Sequence, residues 1–572
     1  MTNRKILING VIACLSLLVI FSGSYALRNE PKAIIEPPPI DENLEKTYAK
    51  LRDLVAMMEQ QRAMDEQLLA EFTAGDFTLQ DPLVVINPYK IAPLSALVLF
   101  ETPTPSQVHI HVEGKTEATD VDYTLDTFET QHILPIYGLY AGTSNAVTLT
   151  LTDQSHQTIS TTLTLATEPL LPQLTTNRFL VTSTGLPMSP GFTFSYQNGY
   201  GSADKTAIDR DGQYRWILAG NFVTSTDFND GHSVVTGMGN NSKDMFFLEF
   251  NYVGKLLSAY YAPYGNHHEI RETESELVIA GHNNLPNTIE DFIYTINTEN
   301  GTIGKSLSYL SLLDRTRNEG IKYSNQDWLH LNSISPIDED VIISSNYQSA
   351  VIRNSWSGDI KWILADPRGF TEKYQPLLLK PIGKDFLYPY NQHAVEILPD
   401  TDNNPDTLDI LLFDNGSSRT FVDKELMRQI AAHEVVAPAL FSRMVHYQIN
   451  EKTMTVRQIW SYGEDRPEIF ASTRGDADRL ENGNYLGTFF SNFIQGTLQT
   501  QRTAYVEVNA QKQVVWEAIA TSTNQQNAYI EYRAERFEIY NSISAHMTLG
   551  EPVRNFIPQS MIASALSYGE TP

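Results

Sequence analysis

The stretch Asp209-Arg210-Asp211-Gly212-Gln213-Tyr214-Arg215-Trp216 leaves an apolar strand, turns through polar residues and opens a second strand that ends on an aromatic ring. A diverged copy stands at Asn251-Tyr252-Val253-Gly254-Lys255-Leu256. Others surround Asn300-Gly301, Ser357-Gly358-Asp359-Ile360-Lys361-Trp362, Lys452-Thr453-Met454-Thr455-Val456 and Gln511-Lys512-Gln513-Val514-Val515-Trp516. The six copies recur every 45 to 60 residues or so, with one gap of roughly 95 that holds an insertion, as four-stranded propeller blades do. A pair of β-sandwiches would account for the strands but not for the recurrence. The sequence therefore predicts an all-β fold with a six-bladed β-propeller over residues 171–572.

Toward the N-terminus the pattern changes. Gln107-Val108-His109-Ile110-His111-Val112-Glu113 and Ala146-Val147-Thr148-Leu149-Thr150-Leu151-Thr152 alternate apolar and polar residues, as half-buried strands do. Several such strands predict a β-sandwich over 81–170, with His109 and His111 on its solvent face and no chemistry there. Before it, 27–80 holds a stiff Pro37-Pro38-Pro39 linker and a stretch, 42–72, without Gly or Pro. Leu44, Tyr48, Leu51, Val55 and Met58 step by four and three, predicting a helical segment of about thirty residues that packs on its own domain or on a second helix.

Residues 1–26 read as an export signal: Arg4 and Lys5 precede an apolar stretch from Ile6 to Phe21, and Ser24-Tyr25-Ala26 suits a signal peptidase. Cleavage follows Ala26 on this reading; an uncleaved membrane anchor, giving a membrane tether, is the competing one. Cys14 is the only cysteine, so the cleaved chain has no disulfide, thiolate nucleophile or Cys-ligated metal. The 572 residues carry 68 acidic against 41 basic side chains, a net charge of −27, with no Lys/Arg-rich run. A nucleic-acid partner is thereby excluded, since phosphate neutralisation needs clustered cations.

Within the repeats three histidines keep phase. His268 precedes Leu277-Val278-Ile279-Ala280, His330 precedes Val341-Ile342-Ile343-Ser344, and His393 precedes Leu408-Asp409-Ile410-Leu411-Leu412-Phe413. They stand 62 and 63 residues apart, so they occupy equivalent places in successive units and should approach the mouth of one channel. Asn332, Ser344, Asn346 and Gln348 would line it with polar groups. A single strand histidine commonly serves a backbone carbonyl, which does not explain three imidazoles recurring in phase. His267, beside His268, should face the other way, and His282, His433 and His446 follow no such pattern. Three imidazoles can bind a metal, hold an oxyanion, or include a nucleophile that carries a transferred group; spacing does not choose among these.

Asp327-Trp328-Leu329-His330-Leu331-Asn332-Ser333-Ile334, Lys361-Trp362-Ile363-Leu364-Ala365, Gln392-His393-Ala394, Phe413-Asp414-Asn415-Gly416 and Phe441-Ser442-Arg443-Met444-Val445 follow one another in order. With Asn87-Pro88-Tyr89, Ala92-Pro93-Leu94 and Pro135-Ile136-Tyr137-Gly138-Leu139-Tyr140 upstream, the chain from about residue 83 onward resembles the bacterial arylsulfate sulfotransferases. The resemblance implies a propeller with an N-terminal sandwich, a homodimer, a periplasmic location, and no cofactor or metal. It further implies ping-pong transfer of sulfate from a phenolic sulfate donor to a phenolic acceptor. His393 would be the nucleophile that becomes sulfated, with His268 and His330 binding sulfate oxygens and assisting proton transfer. Asn332 and Asn346, among the polar groups that line the channel, are the candidate substrate-binding residues. One position departs from the family pattern: where its motif has Arg after the paired serines, this chain has Asn346 after Ser344-Ser345. Asn donates without charge, and Arg353, Arg368 or Arg443 are the candidates to supply the cation instead. A non-catalytic envelope binding propeller and a metal-dependent propeller hydrolase are the competing readings.

Overall fold

The computed structural model describes residues 44–568 apart from 198–203, 221, 239–244, 283–287, 316, 318–325, 420–427, 429–439, 496–497 and 523–530. The export signal, the proline linker and His433 lie outside the described residues. Each of the six repeated turns joins the third and fourth strands of one sheet, so the repeat marks the outer hairpin of a blade. The local cause recurs. An Asn, Asp or Ser side chain accepts backbone N–H groups at the start of the turn, and a left-handed residue follows three or four positions later. Asp209 Oδ1 accepts from Asp211 and Gln213 at 3.0 and 2.9 Å, with Gly212 at φ +76°. Asn251 Oδ1 accepts from Lys255 at 2.8 Å, with Gly254 at φ +86°, and Asn509 does the same for Gln511 and Gln513, with Lys512 at φ +65°.

The six sheets are six blades, as the sequence predicts. Their innermost strands are Glu531–Phe537, Phe222–Asp227, Ile270–Glu272, Leu331–Ile337, His393–Ile397 and Asp476–Arg479, here called blades 1 to 6. Two exchanges close the ring. Glu531–Phe537, near the C-terminus, pairs with Phe192–Gln197 and becomes the inner strand of blade 1. Asn177–Ser183, near the start of the propeller, pairs with Val514–Ser522 and becomes the outer strand of blade 6. Blade strands are buried on both faces and so read as unbroken apolar runs. In blade 4, Ile343 packs with Val278 and Ile293 of blade 3, while its neighbour Ile342 packs with Leu412 and Val445 of blade 5. Each such fully buried side chain contributes about 1.5–3 kcal/mol.

Ahead of the ring, one long strand, Ala96–Val112, serves two sets of partners. Its first part pairs with Leu83–Ile86 and Glu129–Ile136, its second with Val121–Thr124 and Ser144–Asp153, and Thr158–Ala166 extends the latter. The change falls in Thr102-Pro103-Thr104-Pro105, where prolines cannot donate to a ladder. The helix Leu44–Ala74 packs on its own chain. Leu51, Leu54, Gln61, Asp65, Leu68 and Phe72 are buried. Asp65 anchors it, accepting from Lys255 Nζ (2.7 Å), Tyr89 Oη (2.6 Å) and the N–H of Gly550 (2.8 Å). Among the described residues no helix is long and apolar enough to cross a membrane.

Candidate functional site

The three phased histidines stand where the chain enters the innermost strands of blades 3, 4 and 5. His268 lies two residues before Ile270–Glu272, His330 immediately before Leu331–Ile337, and His393 opens His393–Ile397. His268 and His330 hold φ of +61° and +50°, and Asn391 and Ala394 flank His393 at +56° and +51°. Non-glycine residues in this region carry a strain of about 1–3 kcal/mol unless the surroundings fix them. Here they are fixed: the His330 carbonyl accepts from the N–H of Asn346, and the Glu290 carbonyl from the N–H of Leu331.

The imidazoles converge. His268 Nε2 and His330 Nε2 are 3.2 Å apart, and the His268 and His393 rings are 6.2 Å centre to centre. His267 belongs to the same cluster, against the expectation that it faces away: its ring centre is 3.8 Å from that of His268 and 5.0 Å from that of His330. The alternation rule fails because both residues precede the strand, in a turn, so nothing forces them to opposite faces. Two carboxylates complete the group. Glu290 Oε2 lies 2.7 Å from His330 Nδ1 and 2.9 Å from His267 Nε2, and Asp327 Oδ2 lies 3.0 Å from His330 Nδ1. Tyr532 stacks on His268 at 4.9 Å, and Tyr347 tilts over His330 at 4.5 Å.

The charge states separate accordingly. Burial pushes the His330 imidazolium down, but hydrogen bonds to Asp327 and Glu290 outweigh it and bring the pKa up to about 9. Burial, reinforced by the neighbouring histidines and Arg474, holds His268 well below its ordinary value. Burial also brings His393 down to about 3, despite its bond to Asn415. Burial lowers His267 too, despite Glu290, so at neutral pH the site holds one imidazolium, His330, beside three neutral imidazoles.

The hydrogen bond at His393 determines which nitrogen is available. Nδ1 is 2.7 Å from Asn415 Oδ1. The Asn415 amide cannot turn over, because its Nδ2 donates to the carbonyls of Ala471 (2.8 Å) and Arg474 (2.6 Å). Oδ1 therefore accepts, Nδ1 carries the proton, and the Nε2 lone pair is left for chemistry.

Asn332 and Asn346 are buried and serve the turn that presents His393. Asn332 Nδ2 donates to the Gln392 carbonyl at 2.8 Å, and Asn346 Nδ2 to the Asn391 carbonyl at 3.2 Å. Ser344 Oγ donates to the Gln392 carbonyl and Gln348 Nε2 to that of Trp328, so these side chains join neighbouring turns. The arginines proposed to replace a cation at 346 are engaged with carboxylates: Arg353 with Asp340 and Glu451, Arg368 with Asp366, Arg443 with Asp414 and Glu464. A different arginine occupies the equivalent place in blade 6. Arg474 lies two residues before Asp476–Arg479, as His268 does before its strand, and shares its φ of +61°. Gly475 follows at φ +109°, where a Cβ would come 2.4 Å from the Phe413 ring, so only glycine fits this turn.

Sequence reasoning missed Glu290, Tyr347, Arg474 and Tyr532, and gave no role to Asp327 and Asn415, although both stood in motifs it singled out. Asp327 was accessible from its spacing of three before His330. Arg474 was accessible from repeat phase, had the comparison admitted residues other than histidine.

Residues 150–533 match the family model described as Arylsulfotransferase (ASST), and residues 83–168 match that described as Arylsulfotransferase Ig-like domain. A protein named arylsulfate sulfotransferase AssT from Lelliottia amnigena is 24% identical over 508 residues, covering 68% of this chain and 81% of its own. One of the same name from Escherichia coli O6:H1 strain CFT073 is 25% identical over 510 residues with the same coverages. A solved putative phosphatase from Bacteroides thetaiotaomicron aligns over 78% of this chain and 94% of its own at 9% identity, with a TM-score of 0.26, too slight a likeness to bear on fold or function.

Proposed function

The chain belongs to the arylsulfotransferase family and is a sulfotransferase acting on aryl sulfates, and on that footing we propose that it works by a ping-pong mechanism through a sulfated His393. The observation that carries this reading is the Asn415 lock, which leaves a neutral imidazole with its Nε2 lone pair beside an imidazolium. The His393 Nε2 lone pair attacks sulfur, the N–S bond forms, and the S–O bond to the aryl group breaks. The departing phenolate takes the Nε2 proton of His330, whose charge Glu290 and Asp327 stabilise. In the second half, an acceptor phenol gives its proton to His330 as its oxygen attacks sulfur, and the N–S bond returns its electrons to His393.

Charge on the equatorial oxygens is best met by fixed donors. His268 supplies one, and Arg474, in phase with it, supplies the cation that Asn346 lacks, while His330 keeps its Nε2 proton for the leaving group. Asn332 and Asn346 position the His393 turn, while Tyr532 and Tyr347 offer faces for aryl rings. The charged and apolar opening of residues 1–26 supports a periplasmic location. A homodimer enters through the family resemblance alone.

The test is turnover of p-nitrophenyl sulfate with phenol as acceptor, by the parent and by His393→Ala, with and without a chelator. One equivalent released without acceptor and sustained release only with it, both lost in the variant and both surviving the chelator, are expected, together with a parent peptide containing residue 393 heavier by one SO3 unit before acceptor is added. Loss of activity on chelation would instead favour a metal-dependent hydrolase. The observation behind that second reading is that His267, His268 and His330 bring ligand-capable atoms within 4.8 Å of one another.

A further inference from the structure

A second group of histidines lies outside the channel, on the N-terminal domain. His109 and His111 alternate outward from the strand Ala96–Val112, and pairing with Val121–Thr124 sets Thr124 opposite His109 and Asp122 opposite His111. The cross-strand side chains are neighbours for that reason. His111 Nδ1 and His109 Nε2 converge on one oxygen, Asp122 Oδ1, at 2.9 and 3.2 Å. The His109 ring is oriented by its other nitrogen, Nδ1, which is 2.9 Å from Thr124 Oγ1. A second carboxylate joins them: ligand-capable atoms of His111, Asp120 and Asp122 all lie within 4.8 Å of one another. Asp120 is itself held in place, since its Oδ1 accepts the N–H of Gly114 at 2.7 Å.

His111, Asp120 and Asp122 thus bring three donor atoms within reach of one ion, while His109, in contact with Asp122 Oδ1, stands outside that trio. Four donors around a zinc ion with bonds of about 2.0–2.1 Å stand roughly 3.3 Å apart. One imidazole nitrogen with two carboxylates forms a borderline donor set suited to zinc and its first-row neighbours. The carboxylates repel each other, and a divalent cation between them would neutralise both. Access is open, with His109, His111 and Asp122 side chains 39%, 32% and 53% exposed. Asp120 and Asp122 also line a cavity of about 290 Å³ shared with Met188, Phe192, Arg210 and Tyr540, between this domain and blade 1.

We propose that His111, Asp120 and Asp122 form a binding site for a divalent transition-metal ion of the zinc type, with His109 orienting Asp122, separate from the histidine cluster of the channel. The test is calorimetric titration of the full-length protein with zinc chloride near neutral pH, with cobalt(II) absorption as a second readout. Because three imidazoles of the channel cluster, His267, His268 and His330, could also hold a metal, His268→Gln serves as the control. The parent should bind zinc, and His111→Asn, Asp120→Asn and Asp122→Asn should each weaken one equivalent by at least tenfold, His109→Asn by less. His268→Gln should leave that equivalent intact, and the outward-facing variants should keep sulfate transfer and the parent's unfolding midpoint. Titrations of these variants that superimpose on the parent's, loss of the equivalent in His268→Gln, or no zinc binding by the parent would each overturn the site.

Discussion

Replacing Asn415 by Leu separates the tautomer lock from everything else in the site. The side chain is fully buried and makes three hydrogen bonds: two donated to the carbonyls of Ala471 and Arg474 and one accepted from His393. Leu fills nearly the same volume but makes none. The Ala471 carbonyl keeps the Ser442 hydroxyl at 3.0 Å, but the Arg474 carbonyl loses its side-chain donor, so a loss of about 1–3 kcal/mol is expected by urea denaturation. The catalytic effect is larger. With no acceptor at Nδ1, the His393 proton can move to Nε2 and remove the lone pair proposed to attack sulfur; misassigning the tautomer of a catalytic imidazole lowers kcat by up to about 10⁴. We expect the rate of p-nitrophenol release before acceptor is added, followed by stopped flow, to fall about 10²- to 10⁴-fold per folded molecule, with KM for the donor little changed. Asn415→Asp is the counterpart: it keeps an acceptor at Nδ1 but sets a carboxylate against two carbonyls. It should lose more stability and less rate than Leu. A folded Leu variant that releases nitrophenol within threefold of the parent rate would refute the lock.

Other outcomes follow from the same geometry. His330 stays protonated until the pH rises through about 9, so kcat on donors with poor leaving groups should decline above that pH; Glu290→Gln, which removes the carboxylate 2.7 Å from Nδ1, should move the decline down by about one to two pH units. If Arg474 is the oxyanion cation, Arg474→Gln should reduce kcat/KM by about 10²-fold and Arg474→Lys by less, measured on p-nitrophenyl sulfate. Asp65→Ala leaves Lys255 buried without its carboxylate and should destabilise the protein by about 3–5 kcal/mol, read from the urea midpoint, while sulfate transfer at low temperature persists.

The ring was legible because its outer hairpins repeat a turn that depends on local residues: an Asx or Ser cap and a left-handed position recur in every blade. The imidazoles were legible because phase in a repeat becomes proximity around an axis. What surrounds them was less so. Glu290 reaches His267 and His330 from a different segment, and Tyr532 reaches His268 across the closure of the ring, contacts that no window of sequence contains. The face of His267 was misread because strand alternation was extended into a turn. Asn346 stood out as a missing charge, but its engagement with the Asn391 carbonyl depends on how two blades meet, which periodicity does not encode.

Ring closure also affects when activity can begin. The inner strand of blade 1 comes from residues 531–537, and it brings both Tyr532 onto His268 and Arg533 onto Glu269, a buried pair joined at 2.5 and 2.8 Å across 264 residues of chain. A nascent polypeptide still lacking that strand has all three histidines already synthesised, yet neither of these supports. Contacts of such long sequence separation form late. Sulfate transfer by this protein is therefore expected to report the completion of its own synthesis, with truncated products remaining inert instead of partly active.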